Sequence, residues 1–98
     1  MKMTIRVVAR LTAKPEKVAE MRAALEACIE PTRAEKGCIL YELMQNNADP
    51  TDFTFVEEWD SDEALDVHLQ TEHIRELQGK ADDLFANPPD IRRYSLLQ

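Results

Sequence analysis

Two hydrophobic periods alternate along this chain, and their order sets the fold expected of it. From Thr4 to Thr12 the pattern repeats every second residue. Ile5, Val7, Ala9 and Leu11 share one face, with Thr4, Arg6, Val8 and Arg10 on the other, which is the signature of a strand. Ala13-Lys14-Pro15 ends it, and Pro15 suits the first position of a helix, where its missing N–H costs nothing. Val18, Met21, Leu25, Cys28, Ile29 and Thr32 then recur at steps of three and four, predicting an amphipathic helix that reaches about Lys36. Pro31 should kink or end that helix, and Gly37 should stop it.

A second strand, Cys38 to Gln45, leads through the turn formers Asn46-Asn47-Ala48-Asp49-Pro50 into a third, Phe53 to Trp59. At Asp60-Ser61 the period changes again. Either residue can cap a helix, and Asp62 and Glu63 occupy its first turn, where the helix dipole favours negative charge. Ala64, Leu65, His68 and Leu69 fall on one face of this helix. Thr71 is placed to cap a fresh segment whose buried stripe is Ile74, Leu77, Ala81, Leu84 and Phe85. Asn87-Pro88-Pro89-Asp90 breaks it, and Ile91 to Leu97 forms the last strand.

The order β-α-β-β-α-β predicts the α+β class. Two crossover units share one antiparallel sheet with helices on one face, the ferredoxin-like sandwich. The 98 residues make a single domain, 1–98, without repeats or a separating linker. The uncovered sheet face should be polar in a monomer. Val8 and Val56 lie on it, and the second strand is apolar on both sides, with Cys38, Leu40 and Met44 against Ile39, Tyr41 and Leu43. A second apolar face implies a partner, most simply another copy of the chain, sheet against sheet. Domains this small often gain stability that way.

Charge narrows the partners. The formal net charge is −7 and the pI about 4.7, which excludes nucleic acid and anionic membrane surfaces as expected partners. No Lys or Arg occurs between Asp49 and Glu72. No apolar run approaches the roughly 18–20 residues of a membrane span. Cys28 and Cys38 form no CxxC motif and have no His or Cys beside them at ligand spacing, so reduced, buried thiols are expected and no metal site. Met1-Lys2-Met3 runs straight into the first strand without a cleavage signal, and a cytoplasmic protein is expected.

Candidate chemistry concentrates between Phe53 and His73, which holds the chain's one Trp and both of its histidines. Histidine titrates near neutral pH and is the usual general base or acid. His68 sits at the edge of a buried stripe, and His73 follows a helix break; a purely structural role is the competing reading for each. Trp59 and Tyr41 suit either core packing or the wall of an aromatic-binding pocket. Glu57 shares a strand face with Phe53, Phe55 and Trp59, where a carboxylate needs a partner or a wet cavity. Arg10 and Glu58, on the opposite face, are candidates to pair across the sheet or a dimer contact. With only Gly37 and Gly79, the chain has no phosphate loop, and no Ser-His-Asp order or nucleophile elbow is present. The two histidines lie five apart, which is not a zinc-helix spacing.

Glu35-Lys36-Gly37-Cys38 with Tyr41, then Glu57-Glu58-Trp59, then Ala64-Leu65-Asp66-Val67-His68-Leu69-Gln70-Thr71-Glu72-His73 resembles the antibiotic biosynthesis monooxygenase family, above all its small quinol-monooxygenase-like members. The resemblance covers nearly the whole chain. It implies a ferredoxin-like homodimer of the dimeric alpha-beta barrel type, with a pocket between sheet and helices in each subunit. It further implies oxygenation of a small aromatic substrate, a quinol or polycyclic phenol, by O2 without metal or flavin. A base would remove a phenolic proton, the anion would reduce O2, and an apolar pocket would shield the intermediates. On this basis His68 or His73 would be the base, with His68 favoured. Trp59 and Tyr41 would hold the ring, with Glu57, Ala9 and Phe55 as further substrate-binding positions. The haem-degrading members carry an Asn where this chain has Ala9 and a ligating His near Gln78, so haem degradation is disfavoured. Two alternatives stand beside the oxygenase: a non-catalytic dimeric binding module for small apolar metabolites, and an isomerase of a phosphorylated signalling sugar. The isomerase would need positive charge at the pocket, from Arg10, Arg92 or Arg93.

Overall fold

Strand β1 (Ile5–Thr12) buries alternate residues as its period predicts, and β3 (Asp52–Trp59) does so without exception. The computed structural model describes residues 3–98, so the Met1-Lys2 part of the leader reading lies outside the described residues. With β2 (Cys38–Gln45) and β4 (Asp90–Tyr94), these strands form one sheet in the order β2-β3-β1-β4. Every neighbouring pair is antiparallel, as the ferredoxin-like order requires. Val7, Leu11, Phe53, Phe55 and Trp59 point from the sheet into a layer of helices and, with Met21, Leu25 and Leu65 from that layer, make the core. Burying each such side chain contributes roughly 1.5–3 kcal/mol. Among the described residues, no helix is long and apolar enough to cross a membrane.

The helix expected from Pro15 to about Lys36, kinked or ended at Pro31, is three pieces that reach Arg33. A 3-10 turn, Pro15–Lys17, leads into α1 (Val18–Glu26), and α2 (Ile29–Arg33) follows after a break at Ala27-Cys28. Pro31 is the cause, but the break lies four residues before it. Pro31 has no N–H to offer the Ala27 carbonyl, and its ring would clash with that carbonyl in a continuous helix. The chain restarts so that Pro31 falls in the first turn of α2, where a missing N–H is harmless.

Ser61, rather than Asp60, caps α3 (Asp62–His68), its Oγ accepting from the Ala64 N–H at 3.1 Å. The expected second break is also present. Helix α4 (Glu72–Gly79) restarts after Thr71, whose Oγ1 donates to the His68 carbonyl at 2.8 Å and closes α3. A short α5 (Ala81–Leu84) completes the layer.

Two details of β2 position the site. Gly37 has φ 90°, and a Cβ there would lie 2.6 Å from both Ala64 Cβ and Asp60 Oδ1. Only glycine lets the loop before β2 press this closely on the start of α3. A bulge between Cys38 and Leu40 then shifts the register, setting Cys38 opposite Trp59 and Tyr41 opposite Glu57. Strict alternation put Cys38 and Tyr41 on opposite faces; the bulge puts both on the helix side and leaves Ile39 as the extra, exposed residue.

On the outer face Arg10 and Glu58 do not pair with each other. The β1–β3 register sets Arg6 opposite Glu58 and Arg10 opposite Thr54. Arg10 reaches Asp52 at 3.1 Å, and Glu58 takes the Thr4 hydroxyl at 2.7 Å and Arg6 at 3.5 Å. Strand β4 stops at Tyr94 rather than Leu97, because β1 begins at Ile5 and leaves nothing to pair with beyond Ser95. All of β4 is exposed.

Candidate functional site

A cavity of about 70 Å³ lies between the sheet and helices α3 and α4. Val7, Ala9 and Leu11 of β1, Tyr41 of β2, and Phe55 and Glu57 of β3 form its floor. Leu65, His68 and Leu69 with Ile74, Leu77 and Gln78 form its roof, and Phe85, Pro89 and Ile91 its rim. Four polar side chains interrupt an otherwise apolar wall: Tyr41, Glu57, His68 and Gln78. None of the lining residues is a Lys or Arg.

His68 is 3% exposed and held by the half-buried carboxylate of Glu35. Its Nδ1 lies 2.7 Å from Glu35 Oε2, and the same oxygen takes His73 Nε2 at 2.7 Å. A carboxylate oxygen only accepts, so both nitrogens carry their protons toward Glu35. That assigns the Nδ1–H tautomer to His68 and leaves Nε2 as the lone pair of a ring that lines the cavity. Burial lowers the His68 pKa, and the hydrogen bond to Glu35 opposes that shift in part. The ring is therefore neutral at pH 7, as a base must be. Glu35 Oε1 is buried and has no hydrogen-bond partner among the described residues, so the two histidine contacts fix the carboxylate by one oxygen alone.

Behind the wall, Trp59 is 0% exposed. Its Nε1–H donates to Glu57 Oε1 at 2.8 Å, and its ring lies 4.7 Å from the His68 ring, centroid to centroid. Tyr41 stacks on Phe55 at 4.5 Å and meets His68 edge-on at 5.6 Å. Burial raises the Tyr41 pKa far above the usual phenol range, so it stays protonated. Glu57, 4% exposed, is pushed up to about 7, first by burial and further by the charge of Glu35, with the Trp59 N–H pulling the other way.

Five of the seven positions singled out from sequence thus meet at one cavity: His68, Tyr41, Glu57, Phe55 and Ala9. Trp59 and His73 do not line it. Trp59 backs Glu57 and His68, and His73 stands on the far side of Glu35, beside the Thr71 hydroxyl at 3.3 Å. Sequence reasoning gave Glu35 no role. It lies 33 residues from His68 and 38 from His73, and the available signal was its place in the Glu35-Lys36-Gly37-Cys38 stretch that carries the family resemblance. Glu35, His68 and His73 also hold donor atoms of metal-ligand type within 4.8 Å of one another. The sequence offers no ligand spacing for such a set, because the fold alone brings the three together.

The antibiotic biosynthesis monooxygenase family matches residues 4–80. An uncharacterized protein of Synechocystis is 36% identical over 92 residues, 94% of this chain and 63% of that protein, so the chain spans under two thirds of that relative's length. A Mycobacterium tuberculosis protein named as a candidate monooxygenase is 34% identical over 84 residues, 86% of this chain and 82% of that one. Among solved structures, PA3566 from Pseudomonas aeruginosa superimposes with a TM-score of 0.94 at 32% identity, covering 100% of this chain and 98% of that one.

Proposed function

We propose, for a chain that belongs to the antibiotic biosynthesis monooxygenase family, that the cavity oxygenates a small electron-rich aromatic with O2, His68 acting as the base. The observation that carries this reading is the Glu35–His68 pair, which presents a neutral imidazole nitrogen to an apolar cavity. Nε2 takes the phenolic proton, and Glu35 stabilises the imidazolium that results. The phenolate then gives one electron to O2. The radical pair closes a C–O bond, and the hydroperoxide loses water to leave a quinone carbonyl. One oxygen atom stays on the ring and the other leaves as water. Apolar walls keep bulk water from the anion and the radical pair.

Size favours a single ring. One water needs roughly 10–15 Å³ on the same measure, so 70 Å³ suits one ring rather than a fused set. Haem degradation, disfavoured from sequence, and the isomerase alternative both lack their residues here. Ala9 and Gln78 both line the cavity and supply neither the Asn nor the His of a haem degrader. A phosphorylated sugar would find no cation: Arg10 and Arg92 lie together at a separate outer depression, and Arg93 is engaged by Asp62 at 2.8 Å and Asp66 at 2.7 Å.

The deciding experiment is anaerobic incubation with a panel of quinols and anthrones, followed by admission of oxygen. Single-ring quinols should give protein-dependent uptake of one O2 per substrate. No uptake across the panel, with ligand binding retained, would leave a binding module instead.

A second copy of the chain is the proposed partner. Val8 faces Val56 across the outer face, with Arg92 and Glu42 as their outer cross-strand neighbours and Leu40 and Met44 on either side of Glu42. Ile91, Tyr94, Leu96 and Leu97 are exposed along β4 and the tail. Light scattering should give twice the 11.3 kDa chain mass; a monomer at micromolar concentration would refute the dimer.

A further inference from the structure

We infer that Glu57 is a neutral hydrogen-bond donor to the substrate, so that the site takes a ring carrying an oxygen acceptor as well as an acidic hydroxyl. This rests on the reading of the cavity as the substrate site, but not on the chemistry with oxygen.

Position argues for it first. Glu57 alternates along β3 with Phe53, Phe55 and Trp59 on the helix-facing side, where the neighbouring positions all take aromatic rings. A carboxyl there costs stability that an apolar residue would not. Among the described residues, no Lys or Arg lines the cavity beside it. Across the sheet it is flanked by Val7 on β1 and Tyr41 on β2, and the cavity sets it among the groups facing Leu65 and His68 of α3. The ionisable groups around it are the neutral Tyr41 phenol, the neutral His68 imidazole, the Cys38 thiol and the Glu35 carboxylate. Burial pushes its pKa up to about 7, the Trp59 N–H pulls it down, and of these groups the Glu35 charge raises it.

Orientation argues for it second. The Trp59 N–H fixes Oε1 at 2.8 Å, and no hydrogen bond within the protein takes Oε2 among the described residues. The carboxyl is part of the cavity wall. Below its pKa the group therefore offers an O–H to whatever enters. Above it, the group is a carboxylate that repels an acceptor oxygen. The cavity lining then carries two polar groups of opposite kind, an accepting His68 and a donating Glu57. A ring bearing both a hydroxyl and a carbonyl, or two oxygens in different protonation states, satisfies both.

Binding of unreactive probes tests this, followed by fluorescence of Trp59, whose N–H is bonded to Glu57. The probes are the three isomers of hydroxyacetophenone against the three ethylphenols, which keep the size and the hydroxyl but lack the carbonyl. At pH 6 at least one hydroxyacetophenone should bind the parent about tenfold tighter than its ethylphenol counterpart, the worth of one good hydrogen bond. That preference should fade as pH rises through 7 toward 8.5. Glu57→Gln, which can still accept from Trp59 and donate an amide N–H, should keep the preference and lose its pH dependence. Glu57→Leu should abolish it. Equal binding of the two probe series by the parent, or a parental preference unchanged from pH 5.5 to 8.5, would overturn the inference. The Gln variant decides the matter if the Leu variant does not fold. Because no oxygen is consumed, a positive result alongside a failed uptake assay would sink the oxygenase while leaving Glu57 its role.

Discussion

On the proposed mechanism, His68→Ala should lower quinol-dependent oxygen uptake by about 10²–10⁴, the usual cost of removing a general base. The loss should fall on turnover, because the ring-contacting walls of Tyr41 and Phe55 remain. His68 is only 3% exposed, so the substitution also costs stability, about 1–3 kcal/mol for a small buried truncation that leaves Glu35 with one partner fewer. Circular dichroism should still show a folded chain. Glu35→Gln separates base from positioner. An amide can donate to Nδ1 and favour the opposite tautomer, putting the proton on Nε2 where the lone pair is needed. It should lower turnover while the KM for substrate stays near the parent value. His73→Ala, which touches Glu35 from outside the cavity, should cost less than either. Parent rates in both single histidine variants would eliminate the histidine-base mechanism.

Trp59→Ala has the largest expected effect on stability, about 3–5 kcal/mol. Trp59 is 0% exposed at the end of β3. Its loss opens a large void and strips Glu57 Oε1 of its donor. A domain of this size has roughly 5–10 kcal/mol in total. The melting temperature should fall by roughly 12 °C or more, at about 4–8 °C per kcal/mol. Trp59→Phe keeps most of the bulk and loses the N–H, so it should cost only about 1–2 kcal/mol. It should also raise the Glu57 pKa further, since that N–H holds it down. A Trp59→Ala chain melting within 3 °C of the parent would show that the ring is not a packing element. The substrate-wall role suggested by sequence would then regain ground over the supporting one.

Much of this protein is determined locally. Alternation in β1 and β3, the helical stripe through Leu65 and His68 and the Ser61 cap are each set by residues within a few positions of one another, whereas the helix expected to stop at Gly37 ends at Arg33 and leaves Gly37 in the turn before β2. The structure keeps the first three. Element order then limits the sheet to one topology, because crossovers have one hand. For the same reason the face each candidate residue occupies was legible, and Ala9, Tyr41, Phe55, Glu57 and His68 do share one cavity.

What tertiary structure alone decided are the relations that period cannot encode. A one-residue bulge reassigns Cys38 to the face of Tyr41. A proline acts through the carbonyl four residues before it and moves a helix break to Ala27-Cys28. A glycine with no Cβ lets a loop press on α3. That contact brings Glu35 to two histidines 33 and 38 residues away, so the partner that sets the tautomer of His68 had no local signature. Periodicity reports the direction in which a side chain leaves its own element. Which side chains then meet depends on how closely two backbones approach, and that is a property of the packed chain.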